Sequence, residues 1–228
     1  MMHLLQSSNR VALSFCNRPT SGIYFRKSCN AVDPKARLLL LHGVGSNEVN
    51  LASMAASLPV DLEVLLLRGP LQTGPQGFAW YQVNFTSDGP SFSYTQAESS
   101  RQLLKQFLEA LPSLPTVIAG FSQGGIMSAS IGLTEPELFA GFGVLSGRVL
   151  REIHTQIASD DRLESLSGFI AHGKRDAVLP SRWAQETDTL LDRIGVKHET
   201  HFYDMAHEVI DLEMADFSKG LSKTLQLT

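Results

Sequence analysis

Residues Thr116-Val-Ile-Ala-Gly-Phe-Ser-Gln-Gly-Gly125 run from a β-branched, apolar segment into Gly120-Phe121-Ser122-Gln123-Gly124, a G-x-S-x-G pattern. The turn from strand to helix in such a pattern is sharp. Glycines on either side of the serine avoid collisions with the turn and the neighbouring strand, so the hydroxyl stands at the crest. The residues that follow, Gly125-Ile-Met-Ser-Ala-Ser-Ile-Gly132, are small and apolar, as suits a helix packed tightly on a sheet. Ser122 is therefore a candidate nucleophile. The competing reading is a plain strand–turn–helix corner, because glycine and serine are common and five residues alone separate the two poorly.

Apolar, strand-like runs recur on both sides of this stretch, at 11–15, 23–27, 37–42, 62–67, 141–145, 168–172 and 197–203. Helical patterns alternate with them, which predicts an α/β fold with a mostly parallel central sheet and helices on both faces. The later runs are apolar nearly throughout, as expected for strands covered on two sides. The first two are separated by Asn17-Arg-Pro-Thr-Ser-Gly22 and predict an antiparallel hairpin at the sheet edge. With no internal repeat or linker, the whole 228-residue chain reads as one domain.

Thr95-Gln-Ala-Glu98 reads as a capping box, and Leu103, Leu104, Phe107, Leu108 and Leu111 then share one helical face until Pro112. Ser181 opens a second helix and Gly195 ends it. Ile210, Met214, Phe217 and Leu221 form the stripe of the last one. These stripes are core. The stretch 68–93 differs, interleaving Gly and Pro with Phe78, Trp80, Tyr81, Phe85 and Phe92. So long a connection in a compact domain is usually functional. Its aromatics either wall an apolar pocket or pin the loop down as a satellite cluster, and both readings stand.

A serine hydroxyl needs a base within hydrogen-bond reach and a carboxylate to orient that base. In this kind of sheet the partners are expected in the order Ser, Asp, His, on loops leaving strand C-terminal ends. Phe169-Ile-Ala-His-Gly-Lys-Arg-Asp176 is an apolar strand that breaks at a glycine and reaches an acid; His201-Phe-Tyr-Asp-Met-Ala-His207 ends the final strand with a histidine. Asp176 and His207 are the expected partners. His42 precedes the nucleophile and is expected to pack beneath the site, and His172 to neighbour the Asp176 loop. His198 and His201 fall inside a strand, Asp204 is too close to His207, and Asp160 and Asp161 read as surface. The oxyanion of an attacked carbonyl is expected to meet the Gln123 N–H at a helix start and the Val44 N–H in His42-Gly-Val-Gly-Ser46. That glycine-rich turn could instead cradle a phosphate, but neither G-x-x-x-x-G-K-[ST] nor a full G-x-G-x-x-G is present.

Hydrophobic residues make up 43% of the chain and charged ones 18%, a globular composition. A net charge of −4 offers no electrostatic footprint for nucleic acid. No apolar run approaches a membrane span, and the first ten residues lack a basic stretch followed by a long apolar one. A cytoplasmic location is the expectation. Cys16 and Cys29 read as free thiols, with a bridge between them left open. No metal-ligand spacing is visible, and no cofactor is expected.

Together these elements resemble the α/β-hydrolase fold and, within it, the phospholipase/carboxylesterase family that includes acyl-protein thioesterases. The resemblance spans about residues 37–217. It rests on Leu41-His-Gly-Val-Gly45, Gly120-Phe-Ser-Gln-Gly-Gly125, His172-Gly-Lys-Arg-Asp-Ala-Val-Leu-Pro180 and Met205-Ala-His207, with Arg68-Gly-Pro70 and Phe78-Ala-Trp-Tyr81 between. One departure is Ser46-Asn-Glu-Val-Asn50, where many relatives carry an aspartate soon after the glycines. The resemblance implies a serine esterase with Ser122, Asp176 and His207 as its triad and Val44 and Gln123 as oxyanion donors. The expected substrates are small esters or thioesters of short to medium chain. A lysophospholipase or acyl-protein thioesterase is the near rival, and a non-catalytic binding protein the distant one. Leu71, Phe78, Trp80, Val178 and Leu179 are the expected acyl pocket. Exposed aromatics near it would suit a homodimer, which the sequence leaves undecided.

Overall fold

The computed structural model describes residues 13–17, 22–28, 33–59, 61–86 and 89–227. An eight-stranded sheet is built from β1 (Leu13–Asn17), β2 (Tyr24–Ser28), β3 (Ala36–Leu41), β4 (Leu62–Leu67), β9 (Thr116–Phe121), β10 (Gly141–Leu145), β11 (Ser167–Gly173) and β12 (Lys197–Tyr203). Their spatial order is β1-β2-β4-β3-β9-β10-β11-β12. The six strands from β4 to β12 run parallel, whereas β1 and β2 form the antiparallel edge. Each expected strand is present, with ends within two residues of expectation among the described residues; Val11 and Ala12 of the first lie outside them. Cys29 lies outside the described residues, so its relation to Cys16 does too.

Side chains alternate between two cores. Leu39, Leu41, Leu65, Leu67 and Ile118 face one, while Leu38, Leu40, Val64, Leu66 and Val117 face the other. This is why the strands read as unbroken apolar runs rather than as alternating ones. The first core is closed by α2 (Tyr94–Glu109), α3 (Gln123–Thr134) and α5 (Arg182–Arg193). The second is closed by α1 (Ala52–Ala56) and α6 (Asp211–Leu225). A short α4 (Asp160–Leu163) sits before β11, with Asp160 and Asp161 exposed as expected. No helix among the described residues is long and apolar enough to cross a membrane.

Two expectations are corrected. Thr95 does not cap α2: Ser93 does, its Oγ accepting the Gln96 N–H, and Thr95 falls within the first turn. Ser93 is favoured because its own N–H donates to the Gln82 carbonyl, which fixes the approach to the helix. The 68–93 connection is also not irregular throughout. It forms two small ribbons, β5 (Leu71–Gln72) with β6 (Phe78–Ala79) and β7 (Val83–Thr86) with β8 (Gly89–Phe92).

The topology decides where a ligand fits. After β3 the chain moves outward to β4, then returns past β3 to lay down β9 and the remaining strands on the other side. The order thus reverses between β3 and β9, and a crevice opens there beyond their C-terminal ends. The glycine-rich loop 42–46 leaves β3 and Ser122 leaves β9, so both border that crevice.

Candidate active site

Ser122 adopts φ 55° and ψ −118°, a conformation costly for a residue with a side chain. The surrounding packing enforces it. A Cβ on Gly124 would stand 2.2 Å from the Leu41 carbonyl oxygen, and one on Gly120 would stand 2.4 Å from the Gly124 backbone. Only glycine lets β3, β9 and α3 approach so closely, and that approach presents Ser122 at the strand end. Its N–H donates to the Leu145 carbonyl at 2.8 Å, tying the turn to the neighbouring strand.

His207 lies between the two other expected residues. Its Nε2 is 2.9 Å from Ser122 Oγ and its Nδ1 is 2.7 Å from Asp176 Oδ2. Asp176 is buried, and its Oδ1 accepts the Val178 and Leu179 N–H groups at 2.8 Å each. With that oxygen saturated by the backbone, Oδ2 is aimed at the imidazole. The loops bearing Asp176 and His207 meet because Gly173 has no side chain: a Cβ there would be 2.3 Å from the Ala206 carbonyl oxygen. Lys174 and Arg175 N–H groups donate to the Tyr203 and Met205 carbonyls across the same seam. Phe121 packs on the His207 ring, with centroids 4.8 Å apart.

The remaining histidines take other positions. His42 Nδ1–H donates to the Gly43 carbonyl and its Nε2 accepts the Gly69 N–H at 2.9 Å, which requires the neutral ring. Burial pulls its pKa down accordingly. His172 Nε2–H donates to the Leu179 carbonyl and lies 3.3 Å from Asp176 Oδ2; burial lowers its pKa as well. His198 contacts Asp188 at 3.1 Å and, with Asp192, forms a His/Asp cluster on the outer side of α5 and β12, away from the crevice. Asp204 is exposed and pairs with Arg175.

A cavity of about 260 Å³ opens beside Ser122 and His207. Val44 and Gln123, the expected oxyanion donors, and Val178 and Leu179, from the expected pocket, line it. Gln123 is the first residue of α3, so its N–H has no acceptor within the helix. Leu71, Phe78 and Trp80 do not line the cavity. Trp80 is fully buried, donating its indole N–H to the His42 carbonyl at 3.0 Å. Phe78 exchanges backbone hydrogen bonds with Gly45 and Ser46, and its ring lies 4.5 Å from the Arg68 guanidinium. Leu71 pairs with Ala79 in the first ribbon. Phe78 and Trp80 thus brace the 42–46 loop from behind, and Leu71 pairs within the ribbon that carries Phe78. The apolar wall comes instead from Tyr81, Val83, Phe92, Phe121 and Ile126. Both readings of the 68–93 aromatics therefore apply, to different residues.

Gln123 also anchors that wall through its side chain. Oε1 accepts the Trp80 N–H at 2.8 Å and Nε2 donates to the Tyr81 carbonyl at 2.7 Å. Arg148, at the cavity edge, carries no signal that sequence reasoning used.

Comparison with known proteins agrees with the fold. The phospholipase/carboxylesterase family profile matches residues 26–225. Acyl-protein thioesterase 1 of Mycosarcoma maydis is 26% identical, over 86% of this chain and 94% of that protein. Among solved structures, Zea mays acyl-protein thioesterase 2 aligns with a TM-score of 0.77 at 20% identity, covering 88% of this chain and 98% of that one. A carboxylesterase from Mesorhizobium loti aligns at 0.75 and 19% identity, covering 91% and 98%. A match that runs from the second strand to the last helix takes in every loop described above, and the chain belongs to the phospholipase/carboxylesterase family of α/β hydrolases.

Proposed function

We propose that the protein is a cofactor-free serine carboxylesterase acting on short- to medium-chain carboxylic esters. The observation that carries this reading is the hydrogen-bonded series Ser122 Oγ, His207, Asp176 at the mouth of an apolar cavity. His207 Nε2 takes the Ser122 proton as the oxygen attacks the ester carbonyl. The Asp176 carboxylate holds Nδ1–H and stabilises the imidazolium. Val44 and Gln123 N–H groups receive the oxyanion, with the N-terminus of α3 adding its dipole. His207 then protonates the leaving alcohol, and water releases the acid from Ser122 by the same route. A cavity of about 260 Å³ lies just below the roughly 300–1,000 Å³ of drug-sized sites, which favours short acyl chains over long ones.

A second reading rests on the relatives. Several proteins similar to this chain are named acyl-protein thioesterases, so a thioester is the rival substrate. One experiment addresses both. p-Nitrophenyl esters graded by chain length are compared with acyl-thioesters and lysophospholipids, using the wild type and Ser122→Ala. The expected optimum is a short or medium ester, and Ser122→Ala loses on the order of 10⁴–10⁶ in turnover. Near-normal activity in that variant, or no labelling of the wild type by a fluorophosphonate, overturns the mechanism. Preference for thioesters replaces the first reading with the second.

A further inference from the structure

Arg148 is the only arginine or lysine lining the cavity among the described residues. It leaves the sheet just after β10, past Ser146 at φ 50°. Gly147 backs directly onto the serine turn, its Cβ position lying 3.1 Å from the Ser122 carbonyl oxygen. The next residue is thereby delivered to the wall beside the candidate nucleophile.

The guanidinium is underused. Among the described residues its buried Nε has no hydrogen-bond partner and the group forms no ion pair. Tyr81, Glu152 and Glu186 act on it electrostatically without closing a hydrogen bond, Glu186 lying 3.6 Å from Arg151 instead. Its side chain stacks on Trp183, whose ring centroid is 4.0 Å from Arg148 Cζ. That stacking holds the plane and leaves the N–H edge open. Other shielded arginines in the protein behave differently: Arg37, Arg68 and Arg101 each close on a carboxylate. Arginine cannot shed its charge, and Arg148 is half-buried, so an unpaired guanidinium there is partly desolvated at some cost in free energy. On the far side of Arg148 a second cavity, of about 530 Å³, adds Arg151, His154, Arg182 and Arg193 against the single acid Glu186. The local field therefore favours an anion.

The geometry points to Arg148 as a specificity-determining residue that seats an anionic group of the substrate, so that the preferred esters carry a carboxylate a few bonds from the scissile carbonyl. This rests on the esterase reading above. The anion completes the guanidinium's hydrogen bonds while the apolar wall takes the intervening methylenes.

The test uses two pairs of substrates. In the first the anion is in the acyl part: p-nitrophenyl hemiglutarate against p-nitrophenyl 5-methylhexanoate, in which an isopropyl group replaces the carboxylate. In the second it is in the alcohol part: the butyrate ester of glycolic acid against isobutyl butyrate. The wild type is expected to favour the anionic member of at least one pair. The corresponding kcat/KM ratio should fall about 10- to 100-fold in Arg148→Met, the range of a hydrogen bond to a charged group, and recover in part in Arg148→Lys. Should Arg148→Met not fold, the wild-type ratios decide alone. A wild type that cleaves the neutral esters without preferring either anionic one overturns this inference and leaves the esterase reading standing, as does an Arg148→Met ratio equal to that of the wild type. A wild type that cleaves none of the four esters overturns the esterase reading itself.

Discussion

Asp176 meets His207 through one oxygen only: Oδ2 lies 2.7 Å from His207 Nδ1, while Oδ1 is occupied by the Val178 and Leu179 amides. The backbone therefore dictates which oxygen faces the imidazole. In Asp176→Asn the two amides hold the carbonyl oxygen, and the NH₂ turns toward His207. A donor then faces Nδ1, which must give up its proton, and the wrong tautomer results. We expect kcat on p-nitrophenyl butyrate to fall about 10⁴-fold with little change in KM. Turnover near that of the wild type would remove Asp176 from the mechanism.

The serine turn tolerates no added carbon at position 124. A Cβ there sits 2.2 Å from the Leu41 carbonyl oxygen, and the obstacle is backbone, which has little room to yield. Gly124→Ala is expected to cost about 3 kcal/mol or more. In a chain of this size that lowers Tm by roughly 6–12 °C. Gly74→Ala, with open space around the new carbon, is the control and should stay within about 0.5 kcal/mol. Equal melting temperatures for the two variants would show that the turn relaxes.

Glu48, two residues after the glycine-rich 42–46 loop, is buried and receives Arg68 at 2.6 Å and 2.7 Å and Arg26 at 3.3 Å. Burial works to raise its pKa, but these hydrogen bonds outweigh it and hold the carboxyl below its ordinary 4.5. Its contribution is thus present above about pH 4.5 and is lost as pH falls through the lower folded value. Glu48→Gln should lose about 1–3 kcal/mol at pH 7, discounted from a fully buried pair because the arginines are partly exposed. Its urea-unfolding free energy should also decline less steeply below pH 4.5. A variant with the acid profile of the wild type contradicts the pairing.

Glu213, on α6, has the opposite sign. It is fully buried; among the described residues neither carboxyl oxygen closes a well-formed hydrogen bond, and burial outweighs the weak pull of the Ile210 backbone and pushes its pKa up to about 8. The unfolded chain ionises it near 4.5, so the stability present below that value is lost as pH rises through about 8. Glu213→Gln removes the ionisation and should be the more stable form at pH 9, by about 1–3 kcal/mol, with the advantage vanishing by pH 4. Chemical denaturation at the two pH values measures this directly; a difference that does not change with pH would sink it.

The strands and the serine turn were legible because their signals are local. Leu38–Leu41 and Val64–Leu67 read as unbroken apolar runs since both faces of the sheet are covered, and the G-x-S-x-G pattern at 120–124 marks the turn, although the backbone that excludes a Cβ there includes Leu41 and His42 of another strand and its loop. The order Ser, Asp, His followed from strand ends in a sheet whose connections are stereotyped. The cavity wall was less legible. Composition marked 68–93 as aromatic and functional, yet it could not say that Trp80 turns inward to His42 while Tyr81, its neighbour, faces the cavity.

The amino-acid sequence by itself determined the α/β sheet, the edge hairpin and the strained serine turn. Each of these depends on backbone sterics or on the period of apolar residues, which are properties of short segments. Only the tertiary structure decided which aromatics wall the cavity, that Ser93 rather than Thr95 caps α2, that Glu48 is paired and Glu213 is not, and that Arg148 stands in the wall without a carboxylate. Partnership between side chains distant in sequence is set by how loops cross above the sheet, and no local pattern records that crossing.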